Sequence, residues 1–116
     1  MDMENEARFR MHSVSKTILE QLGSGRFIAM TGAKNFVGTE NSLSFRLPGA
    51  GGFCKNSINV VRIELLPSDT YRMSFGRIRG SKMTAVAQHT DIYFDSLREV
   101  FERETGLATS LGSMGR

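Results

Sequence analysis

Six residues in the middle of the chain, Lys34, Asn35, Arg46, Lys55, Arg62 and Arg72, carry the clearest chemistry that the sequence offers. Arginine presents a planar fork of N–H donors suited to phosphate, and lysine adds a compact point charge. Arg46 stands in LSFRL (43–47), Arg62 in NVVRIEL (59–65) and Arg72 in DTYRMSF (69–75). In each segment the arginine occupies the polar phase of an alternation whose apolar phase is Leu43, Phe45, Val61, Ile63, Leu65, Tyr71, Met73 and Phe75. Such strands side by side gather three guanidinium groups on the face away from the core. Lys34, Asn35 and Lys55 fall in the intervening loops, and the reading extends the basic face with them. The competing reading is a plain wet sheet face, on which Glu64 pairs with Arg72 or Arg46 across the strands.

Other chemistries find less support. GAGGFCKNS (49–57) and GRIRGSK (76–82) put glycines ahead of a lysine without the spacing of a phosphate-binding loop or a following helix. His12, Cys54 and His89 are too scattered for paired metal ligands, and Cys54 has no base beside it in sequence. Asp91 and Asp95 read as caps of a terminal helix rather than as an acid–base pair. The sequence therefore points to no catalytic residue, no metal and no cofactor. Stacking aromatics, common where sheets bind single strands, are sparse on the polar phase, and there is no Trp. Phe36 and Phe53, both assigned to loops, are the candidates for stacking, with anchoring of those loops as the simpler role.

The elements follow from periodicity. Ser13 or Ser15 is expected to cap a short helix with Val14, Ile18, Leu19 and Leu22 on one side, ended by Gly23. RFIAMT (26–31) alternates like a strand, Gly32 turns it, and GAKNFVGTENS (32–42) reads as a loop. LSFRL is the second strand, and PGAGGFCKNS (48–57) a glycine-rich tip. Two runs around Leu66-Pro67-Ser68-Asp69-Thr70 form a hairpin with Pro67 in the second position of a type I turn. TAVAQH (84–89) supplies a weaker fifth strand. Phe94, Leu97, Val100 and Phe101 form an apolar stripe on a closing helix that Gly106 ends.

These elements predict an α+β fold. It is a single domain with an antiparallel sheet of about five strands, flanked by a short N-terminal helix and a C-terminal amphipathic helix. The domain is expected over 13–107, with 1–12 loose and ATSLGSMGR (108–116) frayed. The 116 residues, 40% apolar and 23% charged, have ordinary globular composition, and no apolar run approaches the ~20 residues that span a bilayer. The polar N-terminus does not read as a secretory signal, and a single cysteine fits a reducing compartment, so a cytoplasmic location is expected. Charge is unevenly distributed. Residues 26–82 hold nine basic side chains against three acids, and residues 91–104 hold five acids against two arginines. One positive and one negative surface are expected.

RFIAMTGAKNF, LSFRLPG, KNSINVVRIEL, DTYRMSFGRIRG and YFDSLREVFERETGL together resemble small uncharacterised proteins encoded by bacteriophages, prophages and other mobile elements. The resemblance covers about residues 16–110 and brings no site residues with it. It implies a bacterial host and an accessory role linked to DNA or to interference with a host process. The combined expectation is a non-enzymatic protein binding nucleic acid through Arg46, Arg62 and Arg72, supported by Lys34, Asn35 and Lys55. The alternative is an inhibitor or adaptor that docks on a host or defence protein, or on its own copies, through acidic Glu99, Glu102 and Glu104.

Overall fold

The computed structural model describes residues 12–48 and 54–110. Its elements run α1 (Ser13–Leu22), α2 (Ser24–Thr31), β1 (Lys34–Gly38), β2 (Ser42–Arg46), β3 (Val60–Leu65), β4 (Tyr71–Arg79), β5 (Lys82–Ile92) and α3 (Leu97–Thr105). The five strands form one antiparallel meander in the order β1-β2-β3-β4-β5. This is the α+β domain that the alternating segments imply, with helices packed on one face of the sheet.

The core lies between that face and the helices. Leu43, Ile63 and Met73 form one cross-strand row and Phe45, Val61 and Phe75 the next, all buried. Phe27 of α2, Phe45 of β2 and Phe101 of α3 meet edge to face or tilted, with ring centroids 5.1–6.2 Å apart. Such aromatic contacts add to the area each ring removes from water. Leu97, Val100, Phe101 and Thr105 are the buried residues of α3, spaced as one helical face requires.

Two segments depart from the sequence reading. RFIAMT is the second helix, not a strand. Phe27 and Thr31, four apart, are its buried residues, and Gly32 ends it at φ 74° with its N–H donating to the Ile28 carbonyl. Over six residues, alternation and a helical face both place Phe27 and Thr31 together, so the period alone could not choose. The first strand lies instead in KNFVG, read as loop. There Asn35 takes a positive φ of 56° in a bulge, so that residues 35 and 36 together face Phe45. Phe36 turns inward against Phe45 at 5.5 Å and anchors this edge.

The ends of elements also differ. Ser15 does not cap α1; it is buried, and its hydroxyl lies 2.8–2.9 Å from the carbonyls of Ser42 and Thr39, stitching α1 to the β1–β2 turn. Neither Asp91 nor Asp95 caps α3, whose N-cap is Ser96 without a side-chain bond. Asp91 occupies a bulge of β5 at φ 59°, and β5 is longer than 84–89. Phe94 falls outside the helix and is exposed, so the apolar stripe begins at Leu97. Residues 108–110, expected to fray, are held down: Thr109 is buried and donates through N–H and hydroxyl to Glu102. The Pro67 turn forms as expected, with the Asp69 N–H donating to the Leu66 carbonyl. Residues 1–11, Phe53 and most of the glycine-rich tip lie outside the described residues.

Candidate nucleic-acid interface

The register of the sheet fixes what its outer face carries, because directly paired residues point to the same side. One outer row runs Lys34, Arg46, Val60, Gly76, Ala85. The next runs Val37, Ser44, Arg62, Ser74, Gln88, and a third holds Ser42, Glu64 and Arg72. Arg46, Arg62 and Arg72 therefore step diagonally across β2, β3 and β4, each diagonal neighbour on the order of 7–8 Å away at the backbone. Lys34 stands directly opposite Arg46. Between these charges lie small hydroxyls, Ser44 and Ser74, and no aromatic side chain occupies the rows.

Glu64 is the only carboxylate in these rows. It is the cross-strand partner of Arg72 and accepts a hydrogen bond from its Nη1 at 3.0 Å. Among the described residues, Arg46, Arg62 and Lys34 form no ion pair. The Nε atoms of Arg46 and Arg72 are buried and find no acceptor there. A buried donor without an acceptor is costly, and an incoming oxyanion is one way to satisfy it.

The loop residues divide. Lys34 joins the face. Asn35 is exposed at the β1 bulge beside it. Lys55 does not join: its Nζ donates to the Arg103 carbonyl at 3.0 Å and its stem lies over Gly106, so it closes the C-terminus of α3 on the helix side. Of the three acids read as an alternative contact surface, all on α3, two are bonded within the chain. Glu104 bonds to the His89 ring at 2.9 Å, Glu102 accepts from Thr109, and Glu99 is exposed.

A charge axis accompanies this face. The strand ends at Lys34, Arg46, Lys55–Val60 and Gly76–Met83 carry Lys34, Arg46, Lys55, Arg77, Arg79 and Lys82 and no acid. The opposite ends carry exposed Glu40, Asp69, Asp91 and Asp95, with no lysine or arginine in those connections apart from the paired Arg72. The uneven charge along the sequence thus becomes a polarity along the strands. Arg77 and Arg79 were counted in the basic stretch of the sequence but not placed at this end of the strands. Sequence reading gave Tyr93 no role and put Phe94 on the buried stripe of the closing helix, whereas the two are 65% and 60% exposed at the acidic end.

Burial pushes the Cys54 thiol up from its ordinary value, which disfavours a thiolate nucleophile. Burial also pushes the Tyr71 phenol up; a hydrogen bond with Gln21 works against this and the Asp69 charge adds to it. Among the described residues no three His, Cys, Asp or Glu side chains come together as metal ligands, and no helix is long and apolar enough to cross a membrane. Compared with known proteins, the chain matches no family model, no curated protein and no solved structure.

Proposed function

We propose that this protein binds the phosphate backbone of nucleic acid along the outer face of its sheet, as a non-enzymatic accessory protein of a phage or other mobile element. The observation that carries the reading is the diagonal of Arg46, Arg62 and Arg72 with Lys34 opposite Arg46, relieved by one carboxylate alone. Arg46, Arg62 and Lys34 make the phosphate contacts. Arg72, held by Glu64, marks the end of the track. With no ring among the described residues of the face for a base to stack on, recognition is electrostatic and indifferent to sequence. Docking on a host or defence protein through Glu99, Glu102 and Glu104 has weaker support, because two of those carboxylates are bonded within the chain.

Fluorescence anisotropy with labelled single- and double-stranded DNA tests the reading. Binding is expected at micromolar protein in low salt, with the log of affinity falling linearly against the log of salt. The pair Arg46→Gln and Arg62→Gln is expected to lower that slope by about two while leaving thermal stability nearly unchanged. Absence of binding at low salt, or a slope untouched by the pair, overturns the proposal.

A further inference from the structure

Two features at opposite ends of the same strands fit each other. At one end, Tyr93 and Phe94 stand exposed side by side, between Asp91 and Asp95 and at the end of the sheet that also carries Glu40 and Asp69. Adjacent exposed rings are unusual on a small domain where, among the described residues, Phe27, Phe45, Tyr71, Phe75 and Phe101 are buried and Phe36 is partly so. At the other end, the β4–β5 hairpin runs past the rest of the sheet. β3 pairs with β4 only as far as Val60 opposite Gly76, and the Asn59 side chain reaches one step further by bonding both the N–H and the carbonyl of Ile78. Beyond that, Arg79-Gly80-Ser81-Lys82 is supported by its own pairing alone, with exposed Arg79 and Lys82 at the tip and Met83, 56% exposed, beside them.

We infer that a second copy of this chain is the occupant of the Tyr93–Phe94 surface, through its basic hairpin tip. The tip supplies what the surface asks for. Arg79 and Lys82 meet the carboxylates of Asp91 and Asp95, guanidinium over ring adds a cation–π contact, and Met83 covers aromatic area. The chain carries both halves on different surfaces, so the contact is head to tail. Each copy that docks its tip leaves its own aromatic end open for the next. Copies joined this way line up along the strand axis, which would set their outer sheet faces in series. The assembly does not depend on nucleic-acid binding. The contact is small and charged, so it is weak and sensitive to salt.

Sedimentation velocity on nuclease-treated protein tests this. Mass is expected to grow with concentration at about 50 mM salt and to fall to the monomer at about 0.5 M. The tip variant Arg79→Glu with Lys82→Glu, and the surface variant Phe94→Ser with Asp95→Lys, should each be monomeric alone. Both change exposed residues, and circular dichroism checks that each is folded. Mixed in equal amounts, they should form a one-to-one dimer and nothing larger, because each retains the half that the other lacks. Wild-type protein that stays monomeric at low salt overturns the inference. So does assembly that survives either double substitution, or a mixture of the two folded variants that stays monomeric.

Discussion

Arg72 donates from Nη1 to Glu64, its direct cross-strand neighbour, at 3.0 Å, and so the last guanidinium of the basic diagonal is already answered by a carboxylate. Both side chains remain partly open to water, so the pair adds at most about 1 kcal/mol to stability. Its larger effect is on the charge that the face presents. Arg46 and Arg62 are the free members, and Arg72 is their restrained neighbour.

Glu64→Gln should release that restraint. It keeps the side-chain length and a neutral acceptor for Arg72 while removing the one negative charge of the rows. Affinity for DNA at low salt is expected to rise several-fold, on the order of 3–10, and the salt slope to steepen by about one. Salt-dependent anisotropy on both proteins measures it. An unchanged slope means that Arg72 does not reach phosphate even when freed.

Phe94 and Phe101 separate the apolar stripe read along the chain from the one the helix buries. Phe101 is fully buried against Phe27 and Phe45, so Phe101→Ala should cost about 3–5 kcal/mol. Phe94 precedes the helix and faces water, so Phe94→Ser should move stability by no more than about 0.5 kcal/mol. Urea unfolding of both variants gives the comparison. A large loss for Phe94→Ser would place that ring in the core and shift the start of α3.

These residues show how far the sequence could be read. The strands β2, β3 and β4 were legible because alternating segments stand next to one another around a recognisable turn at Pro67, which a lone alternating run such as RFIAMT lacks, and the same alternation placed Arg46, Arg62 and Arg72 on one face. Legibility failed where a tertiary contact decides. Asn35 breaks the alternation of β1 by a bulge, and nothing local distinguishes that from a loop. Ser15 looks like a cap, yet its hydroxyl is spent on carbonyls 24 and 27 residues away. Lys55 looks like one more free cation, yet its partner is the Arg103 carbonyl, 48 residues on.

Lys55→Ala should therefore act on the helix and not on the basic face. Loss of a bond to the last turn of α3, together with the favourable charge at that terminus, is expected to cost about 0.5–1.5 kcal/mol. The salt slope of DNA binding should change by much less than the one unit expected for a phosphate contact. Thermal unfolding and anisotropy on the same sample read both. A drop of a full unit in slope without loss of stability would return Lys55 to the binding surface.

Alkaline pH should weaken the fold through Cys54 and Tyr71. Burial is the first cause of the rise in both, so in the folded chain each keeps its proton to a higher pH than in the unfolded chain. Over the interval between the two values, unfolding releases protons, and stability falls as pH increases. The contribution is therefore intact below the ordinary thiol range and is lost as pH climbs through it toward the raised values. Urea midpoints should be level between about pH 7 and about pH 8 and should decline toward about pH 10. Cys54→Ala should flatten the earlier part of that decline and leave the later, phenolic part. In the native protein Cys54 should also react with a thiol reagent far more slowly than in urea, because the thiolate is both scarce and covered. Midpoints that stay level to about pH 10 would show that neither group is buried as the fold requires, and equal thiol rates in the two states would show the same for Cys54.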